Sequence, residues 1–321
     1  MDNMNKIVET CKFVVDNSQH VKINSEKVDE FVDYFNHSHI KHWFNESPFN
    51  IRNLAPKERL HFLLVFNSIS FSYWGDPKWK INYHSKEIDG AYGMIGAIGR
   101  AIENNIPILD AKFLSEIKEE ELSKILEGTV QIPLFEDRLN ILREIGTILL
   151  EKFEGDFTNL INQANGDSQK LLSLLIENFP SFNDSSTYNG KQVYFYKRAQ
   201  LLVADIVQAF EGHEFGKLKN ISELTACADY KLPFVLRRLD IFSYSSYLAD
   251  KIDNQIQIDK DSEEEVELRA NTIWVVELIT QKVKKKLAHA DSIHVNDHIW
   301  MLGQEKLKND KPYHLTRTTS Y

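Results

Sequence analysis

Through most of the chain apolar residues recur at intervals of three and four, the spacing that lines one face of an α-helix. Val28, Phe31, Val32 and Phe35 mark a short amphipathic helix over residues 25–36, opened by Ser25. Pro56, suited to a first helical turn because it lacks an N–H, starts a helix that runs from Lys57 to about Ser70 with Leu60, Leu63, Leu64 and Phe66 inward. Three or four further helices are predicted between about 113 and 178, the clearest over Phe135–Phe153 with Leu139, Leu142, Ile145, Leu149 and Phe153 on one stripe. From about Tyr194 a helix buries Ala199, Leu202, Val203, Ile206 and Phe210, and two more span 262–287 and 293–306. Strand-like alternation is confined to Trp79–Tyr83, a hairpin at most, and to a brief extended piece at 128–133. The pattern predicts an all-α fold in a single domain, 1–321, with the turn-rich segment 180–192 as the candidate seam between two lobes.

Near residue 230 the pattern acquires chemistry. Leu232, Val235, Leu236 and Leu239 repeat at helical spacing, and Pro233 falls in the first turn, so a helix starts at about Asp229 or Tyr230. A carboxylate there is kept ionised by backbone N–H groups and the positive end of the helix dipole. On these residues alone, Asp229 is either a plain helix cap or a reactive group.

Other stretches carry weaker signals. Phe66 to Gly75 interleaves aromatic and small polar residues, as a core edge or a ring-stacking pocket wall would. Lys197 and Arg198 stand in a first helical turn, where cations oppose the dipole but offer an anion seat. Gly90, Gly93, Gly96 and Gly99 fit neither a dinucleotide fingerprint nor a P-loop and imply the close approach of another backbone. His37, His39 and His42 match no zinc spacing, and a solvated loop is expected instead of a metal site. The acids before Val266 and the lysines at 282 and 284–286 complement a helix dipole, and the aromatic, basic tail from Pro312 is expected to dock.

Composition narrows the classes. The 321 residues, 42% of them apolar, can bury a sizeable core, and a net charge of −9 disfavours a protein that wraps a nucleic-acid backbone. Two cysteines, Cys11 and Cys227, exclude a disulfide scaffold and suit a reducing cytoplasm. Neither a secretory leader nor an apolar run long enough for a membrane span is evident.

Several blocks together resemble the queuosine salvage protein family. These are Ser70 to Trp74, Phe195 to Gln200 with Val203 to Asp205, Ala228 to Pro233, Glu265 to Arg269 with Trp274 to Leu278, and the ending Pro312-Tyr313-His314. The likeness runs from about residue 55 to the C-terminus. It implies an all-helical fold related to helix-hairpin-helix DNA glycosylases and hydrolysis of the N-glycosidic bond of queuosine 5′-monophosphate. By the same resemblance Asp229 is the catalytic carboxylate, Lys197 a substrate contact, and Phe71 and Trp74 parts of the pocket wall. Tyr230 and Trp300 join the substrate-binding set, and His314 or Arg317 is expected to help Lys197 seat the phosphate. In one departure the family's acidic position in the last helix falls on Asn296, with Asp297 next. An Asn cannot balance a cationic amine. Either Asp297 takes over or base recognition is weaker. The Glu265 region is a further candidate for the polar edge of the base. No metal or cofactor is expected, and the partner is a small nucleotide taken by a cytoplasmic monomer. Two alternatives remain: a non-catalytic binder of a modified nucleoside, and a glycosylase acting on bases in nucleic acid.

Overall fold

Fourteen α-helices among the described residues carry the architecture, which is a computed structural model describing residues 3–39 and 42–321. The first half holds α1 (Asn3–Asn17), α2 (Ser25–Tyr34), α3 (Pro56–Ile69), α4 (Gly90–Glu103), α5 (Ala111–Glu116), α6 (Glu119–Ile125) and α7 (Phe135–Phe153). The second holds α8 (Phe157–Gln163), α9 (Ser168–Asn178), α10 (Lys197–Ala209), α11 (Lys231–Arg238), α12 (Ser246–Asp253), α13 (Glu263–Val283) and α14 (Ser292–Leu302). Six short strands pair antiparallel: β1 (Val21–Ile23) with β6 (Phe242–Tyr244), β2 (Lys80–Tyr83) with β3 (Lys86–Asp89), and β4 (Ser185–Tyr188) with β5 (Lys191–Tyr194). The chain is thus mainly helical, as the apolar periodicity predicts. No described helix is long and apolar enough to cross a membrane.

Local chemistry accounts for most helix starts. Asn24, not Ser25, caps α2 by accepting from the amides of Glu26 and Lys27. The Ser262 side chain caps α13, whose first turn carries Glu263, Glu264 and Glu265 and whose last carries Lys282, as the dipole favours. Asp291 caps α14 through the amide of His294. The buried helix α13 packs along α1 and against α14 and α2, while α10 lies against α3 and α5 against α7.

Four features differ from the sequence expectation. The N-terminal stretch over residues 3–23, left unassigned by the pattern, contains α1 and β1, and Ile7, Cys11 and Val14 are fully buried. Residues 128–133 form no strand; Gly128 lies so close to the Lys80 carbonyl and the Trp79 ring that a Cβ would meet them at 2.5 and 2.6 Å. The glycines of α4 make room for side chains more than for a backbone: a Cβ at Gly96 would meet Ile88, Ile81 and Tyr83, and one at Gly99 would meet Phe49. The turn-rich segment 180–192 holds a 3-10 turn and the β4–β5 hairpin.

Two buried arginines shape the region beyond α3. The chain leaves that helix at Ser70, and its carbonyls need donors. Arg138 of α7 donates to the carbonyls of Ile69 (2.9 Å) and Phe71, and Arg198 of α10 donates to those of Ser68 and Ser181. Arg198 is therefore a structural cap, not part of an anion seat. The seat at the start of α10 is filled from within the chain, because the Lys197 amide donates to Asp184 Oδ2 (3.1 Å) and Asp184 pairs with the buried Arg269.

Candidate active site

A cavity of about 850 Å³ opens where the segment after α3, the start of α4, α10, α11, α14 and the C-terminal tail converge. Most of the residues singled out in the sequence line it: Phe71, Trp74, Lys197, Asp229, Tyr230, Asn296, Asp297, Trp300 and Arg317. His314 does not. It is buried behind the wall with Nε2 3.2 Å from the Tyr321 hydroxyl, and burial beside Arg269 lowers it to about 3, so it carries no charge near neutrality. Glu265 is also elsewhere, buried near Arg269 (3.7 Å) and accepting from the Asp261 amide.

Asp229 precedes α11 as the spacing requires. Its Oδ1 accepts from the amides of Lys231 (2.8 Å) and Leu232 (3.1 Å), and the next residue, Pro233, has no amide to offer. These bonds fix the carboxylate while Oδ2 makes no hydrogen bond with any described residue. No guanidinium or ammonium pairs with it among the described residues. The group is therefore a held, half-buried carboxylate with one oxygen committed to the backbone and the other available to the cavity.

The floor is polar and buried. Asn296 Oδ1 accepts from the Cys227 amide (2.9 Å), two residues before Asp229, and its Nδ2 donates to Asp297 Oδ1 (3.1 Å). Gln208 donates to Asp297 Oδ2 (3.2 Å). Burial pushes Asp297 up to about 7, so near neutrality this carboxyl exchanges between donor and acceptor. Behind it Asp205, fully buried, is raised well above its ordinary value by burial and accepts from Asn67 (2.8 Å) and Trp43 (3.2 Å). Lys197 is 6% exposed, and its ammonium makes no ion pair among the described residues. Its charge acts on Asp205 and Cys227, which places it at the floor with them.

Aromatic rings form the walls, and several carry a cation on one face. Arg138 lies 4.1 Å from the Phe71 ring and Arg317 3.5 Å from that of Trp74. Trp300 stands edge-on to Tyr92, and Tyr230 edge-on to Tyr313. The tail docks as expected and closes the cavity: Trp74 donates to the Thr316 carbonyl (3.1 Å), Arg317 to that of Trp74 (2.8 Å), and the Ser72 amide to that of Tyr321 (2.9 Å). Trp43, Tyr92, Cys227, Lys231, Tyr313 and Tyr321 also line it and escape sequence reasoning. They come from four places in the chain, and no local pattern separates such residues from core.

Around the histidines Asn36, His37 and Ser38 are exposed, as in the expected solvated loop, while the half-buried His39 and His42 have ring partners. His39 stacks on His298 at 4.2 Å, and His42 stacks on Phe44 at 4.6 Å.

The family model described as queuosine salvage protein matches residues 51–321. Similar curated proteins include three named queuosine 5′-phosphate N-glycosylase/hydrolase. That of Sphaerobacter thermophilus is 36% identical over 318 residues, covering 98% of this chain and 97% of the relative. That of Mus musculus is 33% identical, covering 98% of each chain, and that of Bos taurus is 32% identical, covering 100% of each.

Proposed function

The chain belongs to the queuosine salvage protein family, and from that premise we propose that it hydrolyses queuosine 5′-monophosphate to queuine and ribose 5-phosphate. The C1′–N bond breaks, water supplies the oxygen that remains on C1′, and a proton goes to the departing base. Positive charge develops on the sugar as that bond lengthens. Asp229, which lines the cavity with Oδ2 unpaired among the described residues, is the group that balances the charge and takes a proton from the attacking water. This oxygen is the observation that carries the assignment.

A 7-deazaguanine lacks the imidazole nitrogen at which other purines accept a proton, so the base must be relieved through its remaining polar edge. Asp297, held by Asn296 and Gln208, is suited to donate or accept there, and Asn296 serves chiefly to tie α14 to the strand of chain carrying Asp229. Asp297 thereby takes over from the neutral Asn296 as the acidic partner of the base. Phe71, Trp74, Tyr230 and Trp300 wall the ring system, and one stacked ring is worth about 1–3 kcal/mol. Lys197 faces the floor and its acids, which supports a role at the base or the ribose more than at the phosphate. A carboxylate fixed at the start of a short helix also supports kinship with helix-hairpin-helix DNA glycosylases.

The reaction needs water and no cofactor. The chain is taken to work as a monomer in the cytoplasm on a free nucleotide, with 1–321 as one unit; the net charge of −9 supports the absence of a nucleic-acid partner. The test is chromatography of queuosine 5′-monophosphate after incubation with the protein. Equimolar queuine and ribose 5-phosphate are expected. Binding without cleavage, or cleavage only of a base within an oligonucleotide, would overturn the assignment.

A further inference from the structure

Five cationic side chains line the cavity, and their surroundings differ. Arg317 is spent on Trp74, Lys78 pairs with Asp89 at 2.8 Å, and Lys197 sits among the acids of the floor. Lys306 lines the rim and is largely exposed. Lys231, like Arg317, is half-buried without an ion pair among the described residues, but unlike Arg317 its cationic head donates to no carbonyl there, and its stem is built in. Its ammonium lies 4.8 Å from the Trp300 ring centroid, and its Cγ and Cδ run across Gly303 so closely that a Cβ there would meet them at 2.5 and 2.8 Å. Gly303 has φ −75°, a conformation open to any residue, so the close passage of Lys231 is what the missing side chain serves.

The order of charges along the cavity fixes a direction. Asp297 and Lys197, 3% and 6% exposed, mark the floor, Asp229 and Lys231 are half-buried two residues apart, and Lys78 and Lys306 are exposed at the rim. With the anomeric carbon at Asp229 and the base toward the floor, the C5′ substituent points to the rim. The backbone amides that would otherwise hold an anion at the start of α11 are taken by Asp229. At the start of α11 a phosphate must therefore be met by side chains.

We propose that Lys231, channelled between Gly303 and Trp300, is the docking cation for the 5′-phosphate of the substrate and so the residue that selects a nucleotide over a nucleoside. This rests on the hydrolase reading above. Burial lowers Lys231 to about 8 in the unliganded protein, and a phosphate dianion would restore the charge that burial disfavours.

The test compares the wild type with Lys231→Met, which keeps the apolar stem, with Lys231→Arg, and with Gly303→Ala. KM and kcat for queuosine 5′-monophosphate are measured, together with inhibition by ribose 5-phosphate and by ribose. Loss of one charge-assisted bond predicts that Lys231→Met raises KM and the ribose 5-phosphate inhibition constant together, each by about tenfold to a hundredfold, with kcat much less affected. Ribose inhibition should be unchanged, Lys231→Arg should recover part of the loss, and Gly303→Ala should give a smaller rise of the same kind. A fall in kcat with KM and the inhibition constant unchanged would overturn the proposal, because Lys231 would then act on Asp229 or the ribose. Unchanged constants in a folded Lys231→Met would overturn it as well. Absence of turnover by the wild type would instead reject the hydrolase reading on which it depends.

Discussion

A carboxylate that can react must be held without being neutralised, and Asp229 meets both conditions through two backbone amides and no cationic partner. Its place was legible from the sequence because Pro233 and four leucine or valine positions fix a helix start within one residue. The chemistry was not, since a cap and a catalytic group have the same local pattern. Resemblance to a family supplied that step. Asp297 shows the converse: the sequence leaves open whether it replaces Asn296 at the base, and the structure commits Asn296 to the Cys227 amide. The expected roles of His314 and Glu265 did not survive, because sequence distance from a motif says nothing about which side of a wall a side chain takes. Lys231, two residues from Asp229, had no distinguishing signal; its channel is made by Gly303, seventy-two residues away in the chain.

Helices were the most readable elements, since nearly all bury one stripe against a neighbour. Where helix ends are stabilised by distant side chains the pattern was silent. Arg138 is the clearest case. Replacing it with Met leaves the carbonyls beyond α3 without donors at about 1–3 kcal/mol per lost partner. Urea unfolding should show a loss of at least about 2 kcal/mol, and because Arg138 also backs Phe71, kcat/KM should fall with it. Gly146 separates packing from chemistry. A Cβ there would stand 2.2 Å from the Ser115 amide nitrogen and 2.6 Å from the Ala111 carbonyl, so α5 must move away from α7. Gly146→Ala should cost about 1–3 kcal/mol. Activity measured well below its lowered Tm should stay near that of the wild type, as neither helix lines the cavity.

Over the whole molecule, opposed groups of buried and half-buried acids set the pH dependence of stability. Asp184, held by Arg269 and the Lys197 amide, and Asp253, held by Arg237, are lowered, so their contribution is lost as pH falls through the acid range. Asp297 is raised from 3.8 to about 7, so its contribution is present in full below its ordinary value and is lost as pH rises through about 7. Thermal unfolding of the unliganded protein should therefore show Tm falling between about pH 5 and 7 by more in the wild type than in Asp297→Asn; equal slopes would show that Asp297 is not the proton holder. The cavity itself, assembled from six chain segments and closed by the tail, is a property of the fold that no single stretch encodes. Its central claim is that one free oxygen of Asp229 does the chemistry. The most direct test is single-turnover release of queuine from queuosine 5′-monophosphate by Asp229→Asn, whose amide oxygen can keep the helix cap. A loss of about three orders of magnitude or more with Tm close to the wild type is predicted; release within about tenfold of the wild-type rate would contradict the account.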